Sequence, residues 1–125
     1  MQAFLLIDLS EKSAFEQPIL KQVRQRFPAI PVFDVDTQSD AVLQQYAVRF
    51  LQENPDTVVC VKAGEGELNR LMPVLEELLQ PQAQRHILLL GEQPRLLRML
   101  QARTGIAYTL LPDEEALRQF LSELV

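Results

Sequence analysis

Short aliphatic segments alternate with longer amphipathic segments along all 125 residues of the chain, and this alternation limits the folds that the chain can adopt. Several of the short segments are continuous apolar runs, which are typical of parallel strands covered on both faces. The segments predict five strands, at Ala3–Leu9, Pro31–Val35, Thr57–Ala63, His86–Gly91 and Ile106–Leu111. With a helix after each strand, the pattern indicates five successive βα units.

The helices are predicted from apolar residues that recur at intervals of three and four positions. In chain order, these residues are Phe15, Ile19, Leu20, Val23 and Phe27; Leu43, Tyr46, Ala47, Phe50 and Leu51; Leu68, Leu71, Met72, Leu75, Leu78 and Leu79; Leu96, Leu97 and Leu100; and Leu117, Phe120, Leu121 and Leu124. Pro73 lies inside the third set and requires either a kink or a late helix start.

Residue types at the ends of these sets predict where the helices begin and end. Ser13 and Glu16 have capping-box spacing, but Pro18 fits poorly inside the helix that they would start, so its beginning stays open. The segment Thr37–Asp40 is a second capping-box candidate, before the second helix. Gly105 is placed to end the fourth helix in a left-handed conformation.

Few arrangements of five right-handed βα units suit a chain of this length, and the commonest has the strand order 2-1-3-4-5. We therefore expect residues 1–125 to form one α/β domain, a three-layer α/β/α sandwich around a five-stranded parallel sheet. In this order the loops after strands 1 and 3 face each other at the carboxyl edge of the sheet, where ligands usually bind. A functional site is therefore expected first in that crevice.

Charge and cysteine content exclude several classes of partner. Twelve Lys and Arg against 17 Asp and Glu give a net charge of −5, which opposes polyanions, so neither nucleic acid nor a membrane is predicted as a partner. The single cysteine cannot form an internal disulfide. The apolar residues 3–7 are too few for a signal peptide, follow no basic segment and precede Asp8, so a cytoplasmic protein is expected.

Five residues of the two crevice loops are candidates for ligand binding: Asp8, Ser10, Lys62, Gly64 and Gly66. Asp8 and Lys62 are expected to face each other, and such an ion pair either closes the sheet edge or holds a polar ligand. The two glycines either present amides to an anion or form a turn, and the glutamates beside them oppose phosphate.

No catalytic residue, metal site or cofactor is predicted from the other residue types. His86, the one histidine, starts strand 4 at the sheet edge opposite the crevice, which excludes a histidine-dependent triad or metal centre in the crevice. Cys60 lies in an apolar strand, where burial raises the pKa of a thiol and disfavours nucleophilic chemistry. The crevice loops hold no aromatic side chain that would stack on a flavin.

Three segments resemble the receiver domain of response regulators, of the CheY-like kind. Residues 4–8 (Phe-Leu-Leu-Ile-Asp) are similar to the first receiver strand, residues 54–59 (Asn-Pro-Asp-Thr-Val-Val) to the entry into its third strand, and residues 105–112 (Gly-Ile-Ala-Tyr-Thr-Leu-Leu-Pro) to its fifth strand. The order of strands and helices resembles that of a receiver along nearly the whole chain. The resemblance implies that Tyr108 occupies the position of the receiver switch aromatic, Leu111 that of the receiver lysine, and Pro112 that of the following proline.

The residues that transfer phosphate in receivers are missing from the corresponding positions of this chain. The phosphate-accepting Asp of the family falls on Val61 or Lys62, the second acid of its magnesium pair on Leu9, and its hydroxyl residue near Gly91. Transfer of phosphate to aspartate needs a carboxylate nucleophile and a divalent metal ion, and only Asp8 remains of that set. The resemblance therefore implies either a degenerate receiver or only the shared flavodoxin-like fold.

These observations favour a non-catalytic, receiver-like regulatory module that cannot be phosphorylated on aspartate. It is expected to bind a protein partner, or a second copy as a homodimer, through helix 4, strand 5 and helix 5. The candidate residues of this face are Arg95, Arg98, Met99, Tyr108 and Arg118. The alternative is a domain that binds a small ligand, an anion or a nucleotide, in the crevice. No enzyme activity is predicted, because the crevice residues provide no set of base, nucleophile and orienting group.

Overall fold

The first strand, β1 (Ala3–Asp8), lies inside the sheet, and all six of its residues are buried. The computed structural model of the protein describes residues 1–10 and 18–124. The other strands are β2 (Val32–Asp36), β3 (Thr57–Lys62), β4 (His86–Leu90) and β5 (Ala107–Leu111). All neighbouring strands pair in parallel, in the order β2-β1-β3-β4-β5. The predicted α/β fold class and strand order are therefore confirmed.

Helices lie between the strands and after β5. They are α1 (Pro18–Arg26), α2 (Ala41–Glu53), α3 (Met72–Leu78), α4 (Pro94–Gln101) and α5 (Glu114–Glu123), with a short 3₁₀ helix, Leu68–Leu71, directly before α3. Ser13, Phe15 and Glu16, which the sequence assigns to the start of the first helix, lie outside the described residues. No helix in the described ranges is long and apolar enough to cross a membrane.

Alternate strand residues pack into two hydrophobic cores, one on each face of the sheet. On one face, Leu5, Ile7 and Val61 pack with apolar residues of α2, α3 and α4. On the other face, Phe4 and Leu6 pack with apolar residues of α1 and α5. Burial on both faces explains why the strands are continuous apolar runs and why the molecule has three layers.

The buried face of α2 differs from the face that the sequence predicts. The apolar spacing predicts buried Leu43 and Tyr46, but these side chains are 44% and 53% exposed. Gln44 is buried instead, and its amide nitrogen donates hydrogen bonds to the carbonyl oxygens of Ser39 at 3.1 Å and Arg70 at 2.8 Å. These bonds offset the cost of burying a polar amide, so the helix can turn Gln44 inward.

Helix ends follow the sequence signals only in part. Asp40 alone, the last residue of the predicted capping segment, caps α2 by accepting a hydrogen bond from the Leu43 amide at 2.9 Å. Pro73 occupies the first turn of α3, which confirms the late start. Gly105 has a positive φ of 80°, but it lies beyond Ala102, the C-cap of α4, and therefore belongs to the following loop.

Arg85 is a buried cation directly before β4. Its guanidinium donates hydrogen bonds to the carbonyl oxygens of Glu77 at 2.8 Å and Leu51 at 3.5 Å, and it lies 3.3 Å from the Glu77 carboxylate. Leu51 and Glu77 lie near the carboxyl ends of α2 and α3, where unpaired carbonyl groups favour a positive charge. Arg85 therefore ties the ends of two helices to the start of β4.

His86, the first residue of β4, is partly buried, as predicted for a structural histidine. Its Nε2 lies 2.7 Å from the Thr109 hydroxyl oxygen, and its ring lies 5.4 Å from the ring of Phe120 between centroids. Burial lowers the pKa of His86 below the ordinary value of 6.5. The folded protein therefore favours the neutral imidazole.

Acid should destabilise the protein through His86. As the pH falls below 6.5, the unfolded chain binds a proton that the folded chain takes up only at lower pH, so the free energy of unfolding decreases. We expect urea denaturation between about pH 7.5 and about pH 5.5 to show a steeper loss of stability for the wild type than for His86→Gln, which keeps a polar group near Thr109. Parallel pH dependences in the two proteins would contradict this role of His86.

Candidate functional site

The carboxyl ends of β1 and β3 place three of the predicted crevice residues together. Asp8 and Lys62, the last residues of the two strands, lie opposite each other in register. Asp8 is 4% exposed, and its Oδ1 accepts hydrogen bonds from the Ser10 amide at 2.8 Å and from the Ser10 hydroxyl at 2.6 Å. The chain therefore turns directly after β1, and this turn brings Ser10 back to the Asp8 carboxylate.

Lys62 lies close to the first residue of α5. Its ammonium lies 3.9 Å from Oε1 of Glu114, the first residue of that helix. The sequence predicts an ion pair of Lys62 with Asp8, and among the described residues the structure places the Glu114 carboxylate at ion-pairing distance. Both side chains of this pair are partly exposed, so solvent weakens their attraction. The Lys62 ammonium therefore places a positive charge at the carboxyl end of β3.

The loop that contains Gly64 and Gly66 packs against the backbone of the loop after β1. A Cβ atom at Gly64 would lie 2.2 Å from Ser10 Cα and 2.3 Å from Leu9 O, and the Gly66 amide donates a hydrogen bond to Leu9 O at 2.8 Å. Only glycine allows two backbones to approach this closely. The glycines therefore form a turn that lies against Leu9 and Ser10, and the small-ligand alternative stays a prediction.

Two further acids lie on β2, the strand next to β1. Asp36 is opposite Asp8 in register and Asp34 is opposite Leu6, so the three carboxylates belong to the same face of the sheet. Burial raises the pKa of Asp34 above its ordinary value, Asp36 raises it further, and Arg24 opposes the rise. Within residues 1–10 and 18–124, no group of three His, Cys, Asp or Glu side chains is placed to hold a metal ion.

Cys60 lies in the middle of β3 and is completely buried. Burial raises the pKa of its thiol to about 12. The thiol is therefore protonated at neutral pH, and its reactivity is low, as the sequence predicts.

The structure places the five predicted interaction residues in two environments. Arg95, Arg98 and Arg118 are exposed, whereas Met99 and Tyr108 are partly buried against the core that also contains α4. We use the name α4–β5–α5 surface for the exposed residues of these three elements. Met99 and Tyr108 pack against the core, and the exposed charges of this surface are the three arginines and the glutamates of α5.

Two of these arginines have local partners. Arg95 donates a hydrogen bond to the Asn69 side-chain oxygen at 3.0 Å, and Arg118 pairs with Glu115 on its own helix. The bond to Glu115 raises the pKa of the exposed Arg118. The predicted interaction residues therefore share a surface without forming a single bonded cluster.

Leu110 is a residue of the α4–β5–α5 surface that the sequence analysis does not select. Its side chain is 51% exposed, whereas the next residue, Leu111, is buried. The predicted strand order is enough to point to this residue, because it makes β5 an edge strand, with a neighbouring strand on one side only. An apolar side chain on an open edge strand is a place where another protein can dock.

No protein-family model, curated protein or solved structure matches this chain. The parallel five-stranded sheet with alternating helices is a flavodoxin-like fold. Because this fold supports many unrelated functions, the function must follow from the chemistry of the residues themselves.

Replacing Gly64 with alanine should disturb the contact between the two crevice loops. The new Cβ would overlap the backbone of Leu9 and Ser10, which cannot move without shifting the end of β1. We expect Gly64→Ala to lower the free energy of unfolding by about 1–3 kcal/mol in urea denaturation. The control, Glu65→Ala, changes an exposed neighbour in the same loop and should leave stability nearly unchanged. Equal stabilities of the two variants would show that the loops are not in contact.

Proposed function

We propose that this chain is a non-catalytic, receiver-like interaction module that does not accept phosphate on an aspartate. The observation that carries the proposal is the cation at the carboxyl end of β3, where Lys62 ends the strand and lies 3.9 Å from Glu114. In receivers, which three segments of the sequence resemble, this end of the third strand carries the phosphate-accepting aspartate.

The chemistry of this edge opposes phosphate transfer to a carboxylate. An ammonium at this position repels the divalent cation that offsets the charge of the phosphate. The other candidate for the acceptor position, Val61, is fully buried, and so is Leu9, which occupies the position of the second acid. Asp8 remains, and its Oδ1 already accepts two hydrogen bonds from Ser10.

Backbone contacts at this end of the sheet also favour an interaction module. Gly64 and Gly66 lie directly against the backbone of Leu9 and Ser10, so backbone atoms occupy part of the region where ligands of this fold usually bind. Recognition is therefore assigned to the outer surface of the molecule, and first to the α4–β5–α5 surface, where Leu110 is exposed on an edge strand.

The charges of α4 favour a different protein over a second copy that places the same helix against it. Both charged residues of α4, Arg95 and Arg98, are exposed arginines, and Arg103 follows shortly after the helix. Two copies of α4 placed side by side would bring like charges together. A partner that combines acidic side chains with an apolar group opposite Leu110 fits the surface.

The absence of phosphate chemistry is checked by adding magnesium and beryllofluoride, which mimics an acyl phosphate on aspartate, to ¹⁵N-labelled protein. We expect no change in the NMR amide signals, whereas a receiver with the complete set of acids should respond under the same conditions. Signals that shift together at Asp8, Lys62 and Gly91 would overturn the proposal, because these residues surround the position where the phosphate would be held.

The binding surface is checked in cells by a photo-cross-linking amino acid at position 110. We expect a cross-linked product between this chain and a different protein, because Leu110 is a large apolar side chain exposed on β5. The matched control carries the same amino acid at the exposed position of Gln38, directly after β2 on the opposite side of the sheet, and should give no such product. Products that contain two copies of this chain would contradict our choice of partner.

A further inference from the structure

Exposed apolar side chains of the described residues are concentrated on α2. Among the described residues, five large apolar side chains are exposed, and three of them, Val42 at 62%, Leu43 at 44% and Tyr46 at 53%, lie within about one and a half turns of α2. Single exposed apolar residues are ordinary, but a group on one helix marks a surface that another molecule can cover.

Val42, Tyr46 and Arg49 form a ridge along the outer side of α2. Their spacing of four and three positions places them on one line of the helix. The Arg49 guanidinium lies 5.9 Å from the centre of the Tyr46 ring, so the cation rests over an aromatic face. The ridge thus combines an apolar part with a positive end, and tyrosine and arginine are the side chains that contribute most often to protein interfaces.

A groove lies beside this ridge, between α2 and α3. It has a volume of about 340 Å³, and Gln45 borders both the ridge and the groove. Its lining residues are Gln45, Val48, Pro73, Glu76, Glu77 and Gln80. We call the ridge and the groove together the α2–α3 surface.

Arg49 on the ridge and Glu76 in the groove carry opposite charges and have no ion-pair partner among the described residues. Among residues 1–10 and 18–124, no carboxylate lies within 4.0 Å of the Arg49 guanidinium, and no cation lies that close to the Glu76 carboxylate. Glu77 differs, because it pairs with Arg85 at 3.3 Å. Arg49 and Glu76 are both exposed, so a second molecule can reach them.

We propose that the α2–α3 surface binds the same surface of a second copy of this chain about a two-fold axis. The Tyr46 and Arg49 ridge of each copy enters the groove of the other, so that each Arg49 faces Glu76 of the other copy. A two-fold interface requires a surface that is complementary to itself, and a cationic ridge beside an anionic groove meets this requirement. Helix α4 placed against a second α4 would instead bring Arg95 and Arg98 of the two copies together, so the second copy is assigned to the α2–α3 surface.

Sedimentation velocity over a range of concentrations, from about 1 µM to about 1 mM, tests the proposal. We expect the wild type to change from monomer to dimer within this range. Arg49→Glu and Glu76→Arg should each weaken the dimer at least about tenfold, because each variant brings two like charges together. The double variant Arg49→Glu, Glu76→Arg exchanges the charges and should restore the dimer to within about threefold of the wild type.

Two controls make the result specific to this surface. Arg98→Glu reverses an exposed arginine on α4 and should leave the dimer unchanged. All substituted positions are exposed, and thermal unfolding followed by circular dichroism should show that each variant is folded.

Three results would overturn the proposal: a wild type that stays monomeric throughout, a double variant that does not recover, or a dimer that Arg98→Glu disrupts. The beryllofluoride experiment is independent of all of them. A failure of this proposal is therefore distinguishable from a failure of the proposed function.

Discussion

Burial of the sheet on both faces is the constraint on which the rest of this structure depends. β1 is covered by one core through Leu5 and Ile7 and by the other through Phe4 and Leu6, so its interior positions cannot hold unpaired polar groups. Parallel pairing places every carboxyl end at one edge of the sheet. The first charged residues of the inner strands, Asp8 and Lys62, therefore appear side by side at that edge.

The same constraint explains which features the sequence predicts. Strands buried on both faces need continuous apolar runs, and these runs are visible without tertiary information, so fold class and strand order follow from them. The buried face of α2 cannot be predicted in this way, because the buried Gln44 side chain is stabilised by a hydrogen bond to the Arg70 carbonyl, 26 positions away. A hydropathy pattern contains no record of such a bond, and it therefore assigns Leu43 and Tyr46 to the core although both are exposed.

The candidate site shows the same division between local and distant information. The sequence places Asp8, Ser10 and Lys62 at one edge, because strand ends and loops can be located from the apolar runs. It does not identify Glu114 as the carboxylate that approaches Lys62, since that contact depends on how α5 returns over the sheet. Nor does it reveal that Gly64 lies against the backbone of Leu9, which is a matter of distance between two loops.

A cation at the end of β3 changes what this edge can do, because Lys62 stands at the strand end with Glu114 of α5 3.9 Å away. Gly64 lies against the backbone of Leu9 and Ser10 beside it. The α2–α3 surface lies toward the β2 side of the sheet and the α4–β5–α5 surface lies at the β5 edge, which is the opposite edge. A dimer formed through the first surface leaves the second one free on both copies. Such a dimer would present two equivalent sites, and a partner with two matching sites would gain affinity by binding both at once.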